Sequence, residues 1–232
     1  MNNVLEKLFG LYPFSQNKLE RIVFGAKDVG IMLSNGNIGV CSTLCHTIDA
    51  HIGVLTNPNF SNYSHRVVVN AWVNANVNYT HSNLPVSDIN EAVRFENFSK
   101  VCMVGYFGSL ADKLAQKGVK IKVFDLDEYN KPVEPLKHQQ QELMVADAVI
   151  LTATSISNLT FSELIRIIPS RAKVFILGPS TPITQMLFSY PSIAGMFGAQ
   201  FDAFDHSVLD AIDQGGGTRS FLKQMKKVYL KR

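Results

Sequence analysis

The sequence predicts an α/β protein, in which a small α+β unit precedes a mainly parallel sheet with flanking helices. Three observations carry this. From Lys100 onward, short β-branched runs alternate with amphipathic stretches, the rhythm of strand–helix repeats. Before residue 99 the rhythm differs, with two or three strands close together and a hairpin signal between them. The composition, 46% apolar and 18% charged, supplies a sizeable core for 232 residues.

Taken in order, a short helix carrying Leu5, Leu8 and Phe9 precedes strands at Leu19–Phe24, Val29–Leu33 and Ile38–Ser42. Asn35-Gly36 predicts a type I′ hairpin turn, which needs positive φ at both central residues. A helix through Val68, Trp72 and Val73 follows, and another runs from Ile89 to Phe95. Residues 1–98 form this α+β domain, and residues 99–232 a Rossmann-like one. In the second domain Val101–Val104 is a buried strand ending at Gly105, and a helix with Leu110 and Leu114 stops at Lys117-Gly118. Ile121–Phe124 is the next strand, then a linker with Pro132 and Pro135 leads to a helix holding Leu143 and Met144. Ala148–Leu151, a helix over Leu164–Ile168 and Val174–Leu177 continue the alternation. A helix starting at Pro182 and capped by Thr181, a strand over Ile193–Ala199, and a helix through Leu209 and Ile212 capped by Asp205 complete it. Lys226–Lys231 reads as a charge-protected edge strand.

Composition narrows the function. The net charge of +3 is unevenly placed: residues 1–99 hold six Lys/Arg against seven Asp/Glu, residues 100–232 sixteen against twelve. Six basic residues and no acid lie between Arg219 and Arg232, but no aromatic-interleaved motif accompanies them, so no nucleic-acid partner is expected. No run approaches the length of a membrane span, and Met1 to Lys7 lacks the layout of a signal peptide, so no membrane partner is expected either. Cys41, Cys45 and Cys102 are too few and scattered for a disulfide framework, and a reducing cytoplasm fits.

Two small-residue loops are the main binding candidates. Gly215-Gly216-Gly217-Thr218-Arg219 combines unblocked backbone with a hydroxyl and a guanidinium; Gly178-Pro179-Ser180-Thr181-Pro182 follows a core strand. The carboxyl ends of parallel strands, where ligands gather in open α/β sheets, add Gly105 and Tyr106, Asp125, and Thr152, Thr154 and Asn158. Asp125 stands twenty residues beyond Gly105, the spacing of a ribose-binding carboxylate. The first loop has only Gly105 and Gly108 around bulky Tyr106 and Phe107, which argues against an ordinary dinucleotide site and for a modified nucleotide or another anion. Thr160 and Glu163 have the spacing of a capping box. Cys41, Cys45 and His46, with Asp49 and His51, crowd eleven residues and resemble a soft-metal ligand set, although Cys41 also reads as core. Asp202, Asp205 and His206 form a harder-ion candidate beside the capping role of Asp205. No acid/base or nucleophile pair can be asserted from spacing.

Gly105-Tyr106-Phe107, Val123 to Asp127, Thr152 to Ser155 with Asn158 and Thr160, Gly178 to Pro182 with Leu187-Phe188, and Gly215 to Arg219 resemble, in order and spacing over about 115 residues, a family of uncharacterised prokaryotic proteins named for heavy-metal chelation. The N-terminal half, through Val29 to Leu33, Ile38-Gly39-Val40, Asn70-Ala71 and Asn74-Ala75, resembles that family's enolase N-terminal-like domain. Gly108-Ser109 departs from the proline-containing continuation expected there, which makes Tyr106 the better site candidate than its successors. The resemblance implies an enolase-N-like domain, then a Rossmann-like domain, with a site between them and no known reaction. The loops are rich in hydroxyls, amides and glycine rather than thiolates, a chemistry suited to phosphate, carboxylate or a chelating organic anion. The expectation is therefore a protein binding a small anionic molecule or metal chelate between its domains, with Thr218, Arg219 and the Gly215–Gly217 backbone on the anion. A nucleotide-cofactor enzyme and a thiolate/imidazole metal binder are the alternatives. A metal ion or a nucleotide-like ligand would be the cofactor, and an interdomain site is compatible with a homo-oligomer.

Overall fold

The computed structural model describes residues 4–232. Helix α1 (Val4–Leu11) precedes strands β1 (Leu19–Phe24), β2 (Asp28–Leu33) and β3 (Ile38–Ser42), then helices α2 (Tyr63–Val77) and α3 (Ile89–Ala92). The alternating part runs β4 (Val101–Val104), α4 (Gly108–Gln116), β5 (Ile121–Phe124), α5 (Gln139–Met144), β6 (Ala148–Thr152), α6 (Thr154–Ser157), α7 (Phe161–Ile167), β7 (Lys173–Leu177), β8 (Ile193–Gln200), α8 (His206–Asp213) and β9 (Lys226–Lys231).

β1, β2 and β3 form an antiparallel sheet, while the remaining strands form a six-stranded sheet in the order β5-β4-β6-β7-β8-β9, parallel except for β9. The strands fall within a residue or two of expectation because β-branched runs such as Val149-Ile150-Leu151 are fully buried and bounded by polar or glycine breaks. Strand order reverses between β4 and β6, so the chain departs in opposite directions from two neighbouring strands and leaves a crevice at their carboxyl ends.

The two sheets are joined by helix α2. Gly39 on β3 lets the helix approach closely: a Cβ there would lie 2.2 Å from both Ala71 O and Ala75 N. Three buried asparagines one turn apart then staple the layers. Asn70 donates to Ser180 O (3.2 Å), Asn74 to Val40 O (3.0 Å), and Asn78 to Thr181 O (3.0 Å) and Ala199 O (3.2 Å) while accepting from Ile183 N (2.7 Å). Helix α8 returns from the second half to pack Val208, Leu209 and Ile212 against Val23 and Met32 of the small sheet. Residues 85–98 pack on the larger sheet, through a Val86–Val228 bridge and through Ile89, Val93 and Phe95.

Local expectations fail at four points. The helix expected from Ile89 to Phe95 stops at Ala92, because Val93 turns extended (φ −128°) and a separate 3-10 turn takes Phe95–Asn97. Only Gly36 takes a positive φ (+85°) in the β2–β3 hairpin; its N–H donates to Leu33 O, so glycine follows the turn rather than sharing a type I′ pair with Asn35. No α-helix starts at Pro182. Thr181 is fully buried with its hydroxyl on Phe197 O (2.9 Å), and a 3-10 turn over Gln185–Ser189 is capped instead by Thr184. The capping box at Thr160 does not form, because Asn158 Oδ1 takes both the Thr160 N–H (3.0 Å) and hydroxyl (2.7 Å).

Candidate functional site

A cavity of about 970 Å³ opens at the carboxyl ends of the parallel strands. Its walls come from four strand ends of the large sheet, from Ser42, Leu44, Cys45 and His46 after β3, and from Thr218. It lies over the crevice between β4 and β6. Gly105 (φ +91°) permits those two strand ends to converge, since a Cβ there would stand 2.6 Å from Thr152 Cβ. Of the sequence-predicted residues, Gly105, Tyr106, Asp125, Thr152, Thr154, Asn158, Gly178, Ser180 and Thr218 meet in the lining, with Cys45 and His46 at the other wall.

Thr181, Gly215, Gly216, Gly217 and Arg219 lie outside that lining. The glycines have a local explanation: Gly215 (φ +79°) donates to Ile212 O (2.9 Å) and Gly216 to Ala211 O (2.9 Å), the paired bonds that close a helix C-terminus. Two of the three N–H groups expected to meet an anion are thus spent on α8. Arg219 is exposed at the surface.

Asp125 is also committed. Its Oδ2 accepts from Tyr106 N (2.7 Å), and its Oδ1 from Asp127 N (2.9 Å) and Lys131 Nζ (2.7 Å). Burial alone would raise its pKa, but the Lys131 ammonium and the two backbone donors outweigh it and hold the carboxyl below the usual range. Asp125 therefore ties the β4 and β5 loops together. It also occupies the Tyr106 N–H that a nucleotide phosphate would use.

The hydroxyl wall carries fewer committed donors. Thr152 and Thr154 share a hydrogen bond (2.9 Å), and Asn158, its carbonyl oxygen taken by Thr160, retains its amide N–H₂. In the Gly178 loop, Gly178 N donates to Phe197 O and Thr181 N to Gly178 O, while Ser180 Oγ accepts from Ser42 N (3.0 Å). That last bond ties the two sheets together at the cavity floor.

Cys41, Cys45 and His46 do not assemble. Cys41 is fully buried, hydrogen-bonded by Asn70 Nδ2 (3.3 Å), and its thiol is pushed up to about 11 by burial. Cys45 and Leu44 both adopt positive φ (61° and 50°) in a turn closed by His46 N on Thr43 O, which swings Cys45 outward. His46 meets Tyr63 edge-on (5.2 Å), and the Tyr63 hydroxyl holds Thr43 O (3.0 Å). No group of three His, Cys, Asp or Glu side chains is arranged to hold a metal among the described residues.

Sequence reasoning missed Lys131, Gln139 and Gln140, Ser42, and Glu163, all of which line the cavity. Lys131 carried a faint signal, a lone cation six residues beyond Asp125; Glu163 was masked by its capping-box spacing.

A family model described as "Putative heavy-metal chelation" matches residues 88–231. The chain belongs to this family, DUF364. A DUF364 protein of unknown function from Pyrococcus horikoshii superposes with a TM-score of 0.81 at 16% identity, over 98% of each chain. Another, from Desulfitobacterium hafniense, gives 0.76 at 18% identity over 99% of this chain and 100% of that one. The DUF364 fold therefore spans both sheets. Among curated proteins none matches. No helix of the described residues is long and apolar enough to cross a membrane.

Proposed function

We propose that the cavity binds a small organic ligand together with a metal ion, a chelate rather than a bare anion. The charge of the walls carries this reading. Lys131 is the single lysine or arginine in the lining, against Asp125, Asp127 and Glu163, and Asp125 already neutralises it. A free anion entering would meet excess negative charge, whereas a chelated cation offsets it. The guanidinium and glycine N–H groups that pointed to a bare anion lie elsewhere. A chelator's donor oxygens suit the Thr152, Thr154 and Ser180 hydroxyls and the Asn158 amide, and its carbon frame suits Phe107, Leu136 and Leu177. Cys45 and His46 bring a thiol and an imidazole to the rim, able to complete the coordination of a soft metal.

The family description points the same way. Native mass spectrometry of freshly purified protein, with elemental analysis of the same sample, tests the reading. An organic mass with about one equivalent of metal is expected. A metal-free organic anion or an intact nucleotide would contradict it.

A further inference from the structure

Behind the Thr218 wall lies a carboxylate that the proposed site does not use. Asp28 begins β2, is 2% exposed, and its Oδ1 has no hydrogen-bond partner among the described residues. Its Cα pairs across the sheet with Ser42, which lines the cavity. Above it runs Gly217, so close that a Cβ there would lie 3.6 Å from Asp28 Oδ2 and 3.1 Å from Lys27 Cδ. The N–H groups of Gly217 and Thr218 find no protein acceptor among the described residues. A buried acceptor without a donor thus lies beneath donors without an acceptor, a mismatch that costs free energy once the acid is charged.

We propose that Asp28 is a proton-linked latch behind the cavity wall: neutral, it lies passively under the glycine loop; ionised, it draws the N–H groups of Gly217 and Thr218 onto its oxygens. Thr218 belongs to the lining, so the movement reshapes the cavity and adds a negative charge beside it. The charge balance near the latch supports this. Burial pushes Asp28 up to about 7, with only the neighbouring Lys27 opposing. Cys41 on β3 is a neutral thiol. On α8, Asp210 and Asp213 are paired with Arg21 of β1, and His206 is exposed, as is Glu20 of β1. Arg219, in the covering turn, is exposed; Arg66 of α2 is held by Ser157 O and Phe60 O. That uptake of a cation-bearing ligand tightens as pH rises through neutrality rests on the chelate reading; the latch itself does not.

NMR titration of ligand-free protein, following the Asp28 carboxyl carbon and the amides of Gly217, Thr218 and Ser42, tests the latch. The carboxyl should titrate near pH 7, with the three amides sharing its midpoint. Asp28→Asn should abolish the amide transition, and Lys27→Met should shift the wild-type midpoint upward by removing the opposing charge. An Asp28 midpoint below about 5, amides that stay flat while it titrates, or a transition that survives Asp28→Asn would each overturn the proposal. No ligand enters the experiment, so its outcome is independent of whether a chelate binds.

Discussion

Two glycine-containing loops look equivalent in the sequence and are opposite in the structure. Gly178 to Pro182 leaves the end of β7, and its Gly178 and Ser180 line the cavity. Gly215 to Arg219 leaves the end of α8, spends its first two N–H groups closing that helix, and lays its third glycine over Asp28. Glycine after a parallel strand opens the crevice; glycine after a helix serves the helix first. The element that precedes a glycine run thus decides whether the loop reaches the cavity, because both runs spend backbone N–H groups inside the protein, Gly178 N on Phe197 O and Gly215 and Gly216 N on α8.

The sharpest way to probe the second loop is through the acid beneath it. Asp28 is raised from 3.8 to about 7 in the folded protein, so the folded state holds its proton more tightly than the unfolded one. The stability this confers is fully present below about pH 4, falls as pH rises to about 7, and is constant above, a loss of up to about 4 kcal/mol. Denaturant melts of wild type and Asp28→Asn across this range should show the slope in the first and its removal in the second.

Gly216→Ala comes next. A Cβ there would stand 2.5 Å from Ala211 O, so roughly 2–3 kcal/mol of stability should be lost in urea titrations. Gly178→Ala should cost about 1–2 kcal/mol. The space at that position is open, with Phe107 at 3.9 Å, and only the φ of +125° is strained. Equal losses at the two glycines would erase the contrast between the loops. Lys131→Met should cost under about 1 kcal/mol, because the ion pair is only partly buried, yet it should raise the Asp125 pKa and loosen the Tyr106 loop. Raised amide exchange at Tyr106 is the readout. Arg219→Ala should change neither melting temperature nor ligand retention.

Much of the fold was legible because burial and periodicity are local in the sequence. Val101–Val104 and Val174–Leu177 announce themselves as short continuous apolar runs, and the β2–β3 hairpin by Asn35-Gly36 even though its turn type differs. The cavity was half legible: strand ends are predictable, so Gly105, Thr152 and Ser180 were found there. What sequence could not rank was competition for hydrogen-bonding groups. Asn158 outcompetes Glu163 for Thr160, Phe197 captures the Thr181 hydroxyl, and Lys131 claims Asp125; each outcome depends on partners brought together by folding. Asp28 was invisible for the same reason, since its isolation comes from α8 and the Gly217 turn packing over it.

The most direct test of the chelate reading is a paired calorimetric titration. Carboxylate, catecholate and hydroxamate chelators would each be added metal-free and loaded with ferric iron or zinc, to wild type and to Thr154→Val. Binding of at least one loaded form, at least tenfold tighter than its metal-free partner and weakened by the Thr154 substitution, is the expected result. Metal-free forms binding as tightly as the loaded ones, or no loaded form binding, would contradict it.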